Sequence, residues 1–239
     1  MVNPYNDSKL GKKQQVAEMF NSIAPKYDFL NHWLSFGIDK LWRKKAIRLL
    51  KPLNPSVILD VATGTGDFAL EAMRLSPKKI IGMDISEGMM KIASRKIADL
   101  HLDKTISFEV GDSEEMRFDS ESMDAITVGF GVRNFEHLEK GLSEFHRVLR
   151  KGGVACILEF SKPKKFPIKQ LYRFYSYYVL PIWGRLISKD QRAYTYLPES
   201  VSAFPDGEEF ISILKNVGFD SVKEYRLTFG IATIYFAVK

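Results

Sequence analysis

Cysteine is almost missing from this chain: Cys156 is the only one in 239 residues. No internal disulfide can form, which fits a reducing compartment. Cys156 lies in the apolar run Val154–Leu158, so it reads as a small buried hydrophobe and not as a nucleophile. No stretch of roughly 18 apolar residues is present to span a bilayer. The N-terminal Met1–Lys13 is polar and lysine-rich, without the apolar core of a secretory signal. The expected location is therefore cytoplasmic, with membrane contact limited to the periphery of the inner face. The four histidines, His32, His101, His137 and His146, show no metal-ligand spacing, and no metal is expected. No internal repeat is found. The net charge of +6 is a mild bias toward anionic surfaces. The basic residues are spread and not clustered, so no nucleic-acid partner is expected.

What is present suits one large globular unit. Hydrophobic residues make up 45% of the chain and charged residues 27%, enough for a full core. The first dozen residues read as loosely attached. Val16, Met19, Phe20 and Ile23 then fall at helical spacing until Pro25 breaks the pattern. Tyr27–Leu50 reads as a second helical region with a kink or turn at Gly37, and Lys51–Pro55 as a linker. Residues 1–53 thus form a helical cap within the same domain as a core over 54–239. From Val57 strands and helices alternate. Strands are expected at Val57–Val61, Lys79–Asp84, Ile106–Val110, Ala125–Phe130 and Val154–Phe160. Helices are expected at Asp67–Leu75, Gly88–Leu100 and Leu138–Leu149, the last stopped by Gly152-Gly153. That alternation implies right-handed crossovers and a parallel sheet with helices on both faces. An insertion at about 162–205 interrupts the rhythm. A helix at Glu208–Val217 follows, and then two strands, Phe219–Tyr225 and Ile231–Val238, antiparallel at one edge. The fold class is α/β: a mostly parallel seven-stranded sheet with an antiparallel edge and a helical N-terminal cap.

Chemistry gathers at the ends of the strands. Residues 58–67 read Ile-Leu-Asp-Val-Ala-Thr-Gly-Thr-Gly-Asp, a strand running into a Gly-X-Gly turn. The next strand closes on Asp84, where an acid can accept hydrogen bonds from a ribose diol. The third glycine of a dinucleotide fingerprint is absent. Asp67 follows the second glycine, where it would repel a pyrophosphate. Asp60 adds another negative charge. A ligand with a sulfonium, an ammonium and no phosphate suits this turn better, which points to S-adenosylmethionine. Gly111-Asp112-Ser113 follows the third strand, with Asp112 placed for an adenine amino group. Gly129-Phe130-Gly131 follows the fourth, at the crevice of the sheet. The expected cofactor-binding residues are Gly64, Thr65, Gly66, Asp84, Asp112, Ser113 and Gly129. The plainer alternative is that the acids only cap the helices that follow, and Asp60 can equally serve to orient the turn.

These motifs resemble class I S-adenosylmethionine-dependent methyltransferases. More narrowly, the chain resembles the family that C-methylates the quinone ring in menaquinone and ubiquinone biosynthesis. The matches run from Phe20-Asn21-Ser22-Ile23-Ala24 and Tyr27-Asp28 through Asn31, Leu34-Ser35-Phe36-Gly37 and Trp42-Arg43. They continue through Gly64–Asp67, Asp84-Ile85-Ser86, Phe130-Gly131-Val132-Arg133-Asn134 and Glu159–Pro163 to the run Tyr194–Pro205. The glycine turn is common to very many methyltransferases, whereas the Phe-Gly-Val-Arg-Asn and Tyr-Leu…Ser…Phe-Pro runs are far more specific. Asp39 stands where many relatives carry a histidine, so a proton-transfer role there is in doubt.

The resemblance implies methylation of a ring carbon of a demethylated, polyprenylated quinol, most simply demethylmenaquinol, with S-adenosylhomocysteine as the product of the cofactor. A ring carbon becomes nucleophilic when the adjacent hydroxyl loses its proton. The site must hold that carbon in line and stabilise the phenolate. Arg133 can clamp the oxyanion and Asn134 can orient a water or a quinol oxygen, so these two are the expected catalytic residues. The alternatives are a salt bridge that fixes the loop for Arg133 and a helix N-cap for Asn134. Tyr27, Asn31 and Ser35, at i, i+4 and i+8, share one helix face that could line the ring pocket. Tyr178 and Tyr196 complete the expected substrate-binding set. Phe166–Ile187 pairs Phe166, Leu171, Phe174, Tyr178, Leu180, Ile182, Trp183 and Ile187 with Lys164, Lys165, Lys169, Arg173 and Arg185. Two readings stand for it: an isoprenoid channel at a membrane surface, or a buried cap or homodimer surface. Two other functions share the fold: an RNA methyltransferase, and a non-catalytic subunit. The first lacks an aromatic Pro-Pro-Tyr-type clamp after the fourth strand. The intact glycine turn and the three acids argue against the second.

Overall fold

A computed structural model describes residues 2–5, 8–179 and 192–239. The chain begins with α1, Lys12–Ile23, whose Val16, Met19 and Ile23 are buried along one face. Pro25 sits in a single 3-10 turn, Ala24–Lys26, which redirects the chain into α2, Tyr27–Leu34. A left-handed residue at Gly37 then opens α3, Ile38–Leu50. The alternating part follows: β1 Val57–Val61, α4 Asp67–Ala72, β2 Lys79–Asp84, α5 Glu87–Asp99, β3 Ile106–Val110, β4 Met123–Gly129, α6 Leu138–Val148 and β5 Leu149–Phe160. Next come α7 Ile168–Phe174, α8 Arg192–Ala203, α9 Glu208–Asn216, β6 Ser221–Leu227 and β7 Ala232–Val238.

Seven strands form one sheet in the order β3-β2-β1-β4-β5-β7-β6. The first five are parallel, and β7 lies antiparallel between β5 and β6. Alternation along β1 sends Leu59 and Val61 to one face and Ile58 to the other. Phe145 of α6 and Phe210 and Leu214 of α9 bury the first face. Trp42, Ala46 and Leu50 of α3, with Phe68 and Ala69 of α4, bury the second. Cys156 is fully buried there, and burial pushes its thiol up to about 12. The carboxyl ends of β1, β2, β3 and β4 meet at one edge, the usual ligand position in such sheets.

Two sequence expectations change. The helix before β5 ends at Val148, ahead of Gly152-Gly153, because Leu149 already pairs with Met123 of β4. The register then slips before Ala125 meets Val154. The described N-terminal residues are also not loose. Arg192 Nε donates to Pro4 O at 2.6 Å, and Tyr5 N donates to Gln15 Oε1 at 2.9 Å. The insertion, for which no element was expected, carries α7, a π turn Tyr175–Val179, and α8 among its described residues.

Candidate active site

The turn after β1 is built by backbone geometry. Gly66 N donates to Thr63 O at 2.9 Å, and Gly66 holds φ at 84°, a conformation that glycine adopts without strain. Behind it Asp60, fully buried, accepts hydrogen bonds from Thr63 Oγ1 at 2.5 Å and Thr127 Oγ1 at 2.6 Å. Burial pushes its carboxyl up to about 6. Asp60 therefore supports the turn and does not present a charge to a ligand. At the end of β2, Asp84 accepts from Gly64 N at 2.8 Å and from Ser86 N at 2.9 Å. Each carboxylate oxygen keeps a further lone pair for a ligand hydroxyl. Burial raises this carboxyl above its ordinary range, and the backbone N–H groups oppose that.

Gly64, Asp84, Asp112, Ser113, Gly129 and Asn134 all line one cleft of about 670 Å³, part of it open to solvent. Tyr27 lines it too, over the glycine turn, where a β-carbon on Gly64 would lie 3.9 Å from its ring. The loops after β1 and β4 touch so closely that a β-carbon on Gly131 would lie 2.5 Å from Ala62 Cβ. Helix α1 closes the cleft from above. Lys13 Nζ reaches Asp112 at 2.5 Å and Glu114 at 3.2 Å. Asn21 Oδ1 accepts from Ser86 Oγ and Gly88 N, both at 2.8 Å, which pins α1 to the start of α5.

Thr65 and Gly66 stand behind the cleft and not on its wall. Thr65 Oγ1 donates to Asp28 Oδ1. Asp67 also turns away: Lys96 lies at 2.8 Å, and Arg43 and His32 at 3.3 Å. Its charge is consumed in this cluster, so the repulsion argued from sequence does not act at the cleft. Asp39 belongs to the same cluster. Its partners are Arg43, His32 Nδ1 at 2.8 Å and Ser35 Oγ at 2.6 Å.

The helix face drawn through Tyr27, Asn31 and Ser35 breaks up. Asn31 is exposed and hydrogen-bonds the Tyr27 phenol. Helix α2 ends at Leu34, and Ser35 is held by Asp39 in the turn that follows. Tyr178 is 64% exposed, its ring 5.5 Å from that of Phe174. Leu180, Ile182, Trp183, Arg185 and Ile187 lie outside the described residues.

Arg133 and Asn134 close a short 3-10 turn, Val132–Asn134, and α6 does not start until Leu138. Asn134 is thus not an N-cap. Its Oδ1 is buried with no hydrogen-bond partner among the described residues. Arg133 Nη1 donates to Phe130 O and lies 3.0 Å from Glu159 Oε1, while Nε donates to Ser200 Oγ at 3.3 Å. The guanidinium also sits 5.6 Å from the Phe160 ring centre. The salt bridge weighed as the alternative for Arg133 is present, and Nη2 is left without a protein acceptor among the described residues. Glu159 is fully buried, which raises its carboxyl, and Arg133 opposes that rise. Tyr196 Oη is buried without a partner among the described residues, and burial pushes the phenol up to about 12.

Sequence reasoning missed Lys13 and Glu114. Glu114 lines the cleft and accepts from the backbone N–H groups of Glu136 and His137 at 2.8 and 2.9 Å. Its position two residues after Asp112 was the available signal.

The comparisons with known proteins agree with this geometry. The family model described as the ubiE/COQ5 methyltransferase family matches residues 8–239. A demethylmenaquinone methyltransferase of Bacteroides fragilis is 52% identical over all of this chain and 97% of its own length. A ubiquinone/menaquinone biosynthesis C-methyltransferase UbiE of Geobacter sulfurreducens is 45% identical over 94% of this chain and 88% of its own. Among solved structures, a SAM-dependent methyltransferase of Thermotoga maritima superposes with a TM-score of 0.64 at 20% identity. It covers 93% of this chain and 99% of its own, a likeness of fold.

Proposed function

We propose, for a chain that belongs to the ubiE/COQ5 methyltransferase family, that it methylates a ring carbon of a demethylated, polyprenylated quinol, converting demethylmenaquinol to menaquinol. It is an S-adenosylmethionine-dependent methyltransferase of quinone biosynthesis. One observation carries the site assignment. The acids at the ends of β2 and β3 and the buried, unpartnered Asn134 Oδ1 share a single cleft.

The residues present fit the cofactor. Asp84 has free lone pairs for a ribose diol, Asp112 and Ser113 face the same space, and Gly64 and Gly129 bring bare backbone to the wall. When bound there, S-adenosylmethionine supplies an electrophilic methyl group. The protein's part is to make the ring carbon a nucleophile and to hold it still. Arg133 Nη2 is available to a ring oxygen, and its permanent charge stabilises a phenolate. Asn134 Oδ1 accepts a hydrogen bond from the quinol hydroxyl or from a water that takes its proton. Tyr27 stays protonated, because burial raises its phenol, so it can donate but not abstract. Tyr196 Oη offers a further donor on the Arg133 side.

The lipid tail leaves this cleft along the inserted segment, in our reading, where Phe166, Leu171, Phe174 and Tyr178 are 60–81% exposed. No described helix is long and apolar enough to cross a membrane, so the attachment we propose is peripheral.

The test is direct. The purified chain, given S-adenosylmethionine and demethylmenaquinol, should yield menaquinol. Arg133→Lys should keep cofactor affinity and lower kcat far more than the quinol KM, since lysine loses the planar fork. Cofactor binding without turnover of any demethylated quinol would overturn the substrate assignment. A near wild-type kcat in Arg133→Lys would leave Arg133 as a loop anchor only.

A further inference from the structure

The outer face of α3 plays no part in the cleft, and its chemistry is unusual. Lys40, Lys44, Lys45, Arg48 and Lys51 stand along α3 and the turn after it. Spacings of three and four residues place them on neighbouring rows of one side. None of the five has an acidic partner among the described residues. The acid of α3, Asp39, is turned inward onto Arg43 and His32. Lys44, Arg48 and Lys51 also border a shallow cleft of about 680 Å³, part of it open to solvent, with Arg74 in its lining. The acid in that cleft, Glu71, is bonded to Arg74 at 2.6 Å.

Apolar groups project beside this cationic stripe. Leu41 is 59% exposed and Leu53 42%. At the start of α3, Phe36 is 83% exposed with φ at 52°. In the turn between β6 and β7, Phe229 is 79% exposed with φ at 58°. A bulky residue rarely accepts a left-handed backbone, and neither ring gains much burial among the described residues to repay the strain. The two tips belong to one region. Trp42 Nε1 of α3 donates to Thr228 Oγ1 at 2.7 Å, next to Phe229. Ser161 Oγ donates to Gly230 O at 2.8 Å, where β5 leads into the inserted segment.

We propose that this face of α3, with Phe36 and Phe229 at its upper end, docks on an anionic bilayer surface. The cations meet phospholipid headgroups, the shallow cleft takes their phosphates, and the two rings enter the interface. The proposal rests on the reading that the substrate is a lipid-tailed quinol, and it adds a contact distinct from the segment at 166–179. It places the bilayer against the side where that segment leaves β5, so a tail need not cross water to reach the cleft.

The experiment uses the full chain and co-sedimentation with phosphatidylcholine vesicles, with and without a third phosphatidylglycerol, at low and high salt. Wild type should bind only the anionic vesicles and release them in high salt. The triple variant Lys44→Glu, Arg48→Glu, Lys51→Glu should lose more than roughly 100-fold in vesicle affinity, since each cation near such a surface contributes about a fivefold gain and reversal adds repulsion. The neutral triple variant Lys44→Gln, Arg48→Gln, Lys51→Gln should fall between. Phe36→Ser with Phe229→Ser should weaken binding at both salt concentrations. All four preparations should turn over a tailless quinol analogue at the wild-type rate, which reports the methyltransferase reading separately. Unchanged vesicle binding in the charge-reversed variant would overturn the α3 proposal while leaving that reading intact. Tighter binding of wild type to RNA than to anionic vesicles, abolished by the same variant, would also overturn it.

Discussion

At the ends of β2 and β3 the charged groups face a cleft, whereas at the ends of β4 and β5 they face each other. Asp84 and Asp112 hold the wall through backbone N–H groups and keep lone pairs for a ligand. Arg133 and Glu159 bind one another inside the protein, with side chains 7% and 0% exposed. Backbone and acids line the proposed cofactor site on the first side. On the second side an ion pair fixes the position of Arg133, the cation proposed to meet the phenolate. The difference has an energetic root. A carboxylate on a half-open wall keeps some solvation, while a buried guanidinium needs a countercharge to exist there at all.

Removing that countercharge should give the largest effect. Glu159→Ala leaves Arg133 buried and unpaired, and the expected loss is about 3–5 kcal/mol of folding stability. Urea denaturation checks it. The double variant Arg133→Met, Glu159→Leu should recover much of the loss without restoring turnover. A Glu159→Ala chain as stable as wild type would mean that the pair is not scaffold, and the contrast between the two sides would fail.

The next effect tests the other side. Asp84→Ala should remove two charge-assisted hydrogen bonds to the ribose, a loss of roughly 3 kcal/mol in cofactor binding at about 1.5 kcal/mol each. Calorimetry should show an affinity lowered on the order of 100-fold. An unchanged affinity would take Asp84 out of the cofactor site and leave it as a brace for Gly64 and Ser86.

The same contrast explains what could be read from the sequence. Asp84 and Asp112 were legible because a strand and the loop at its end are close in the chain, so period and position sufficed. The sheet and its antiparallel edge were legible for the same reason. Asp67 was misjudged because its partners Lys96, Arg43 and His32 arrive from three separate helices. Ser35 was misjudged because α2 stops one residue earlier, so a face extrapolated at i+8 no longer existed. The union of Arg133, Glu159 and Ser200 joins segments 26 and 67 residues apart. Local periodicity carries no trace of such a meeting.

The smallest expected effect concerns an acid within the cofactor half that behaves like those of the other half. Asp60 is sealed beneath the glycine turn, and its carboxyl is pushed up to about 6 from an ordinary 3.8. Burial is the chief cause, opposed by hydrogen bonds from Thr127 and Thr63. A folded-state pKa above the unfolded value means that the folded state holds its proton more tightly. The stabilisation from this group is complete below about pH 4 and is lost as pH rises through 6. A shift of this size corresponds to on the order of 2 kcal/mol. Asp60→Asn cannot ionise, and its side chain can still bond both threonines after their hydroxyls rotate. Its stability relative to wild type should therefore rise between pH 4 and pH 7 by about that amount. Unfolding curves across this range check the prediction, with cofactor affinity measured alongside. A stability difference that stays constant with pH would show that Asp60 is ionised throughout. A large loss of cofactor affinity at constant stability would place Asp60 with Asp84 among the ligand-facing acids.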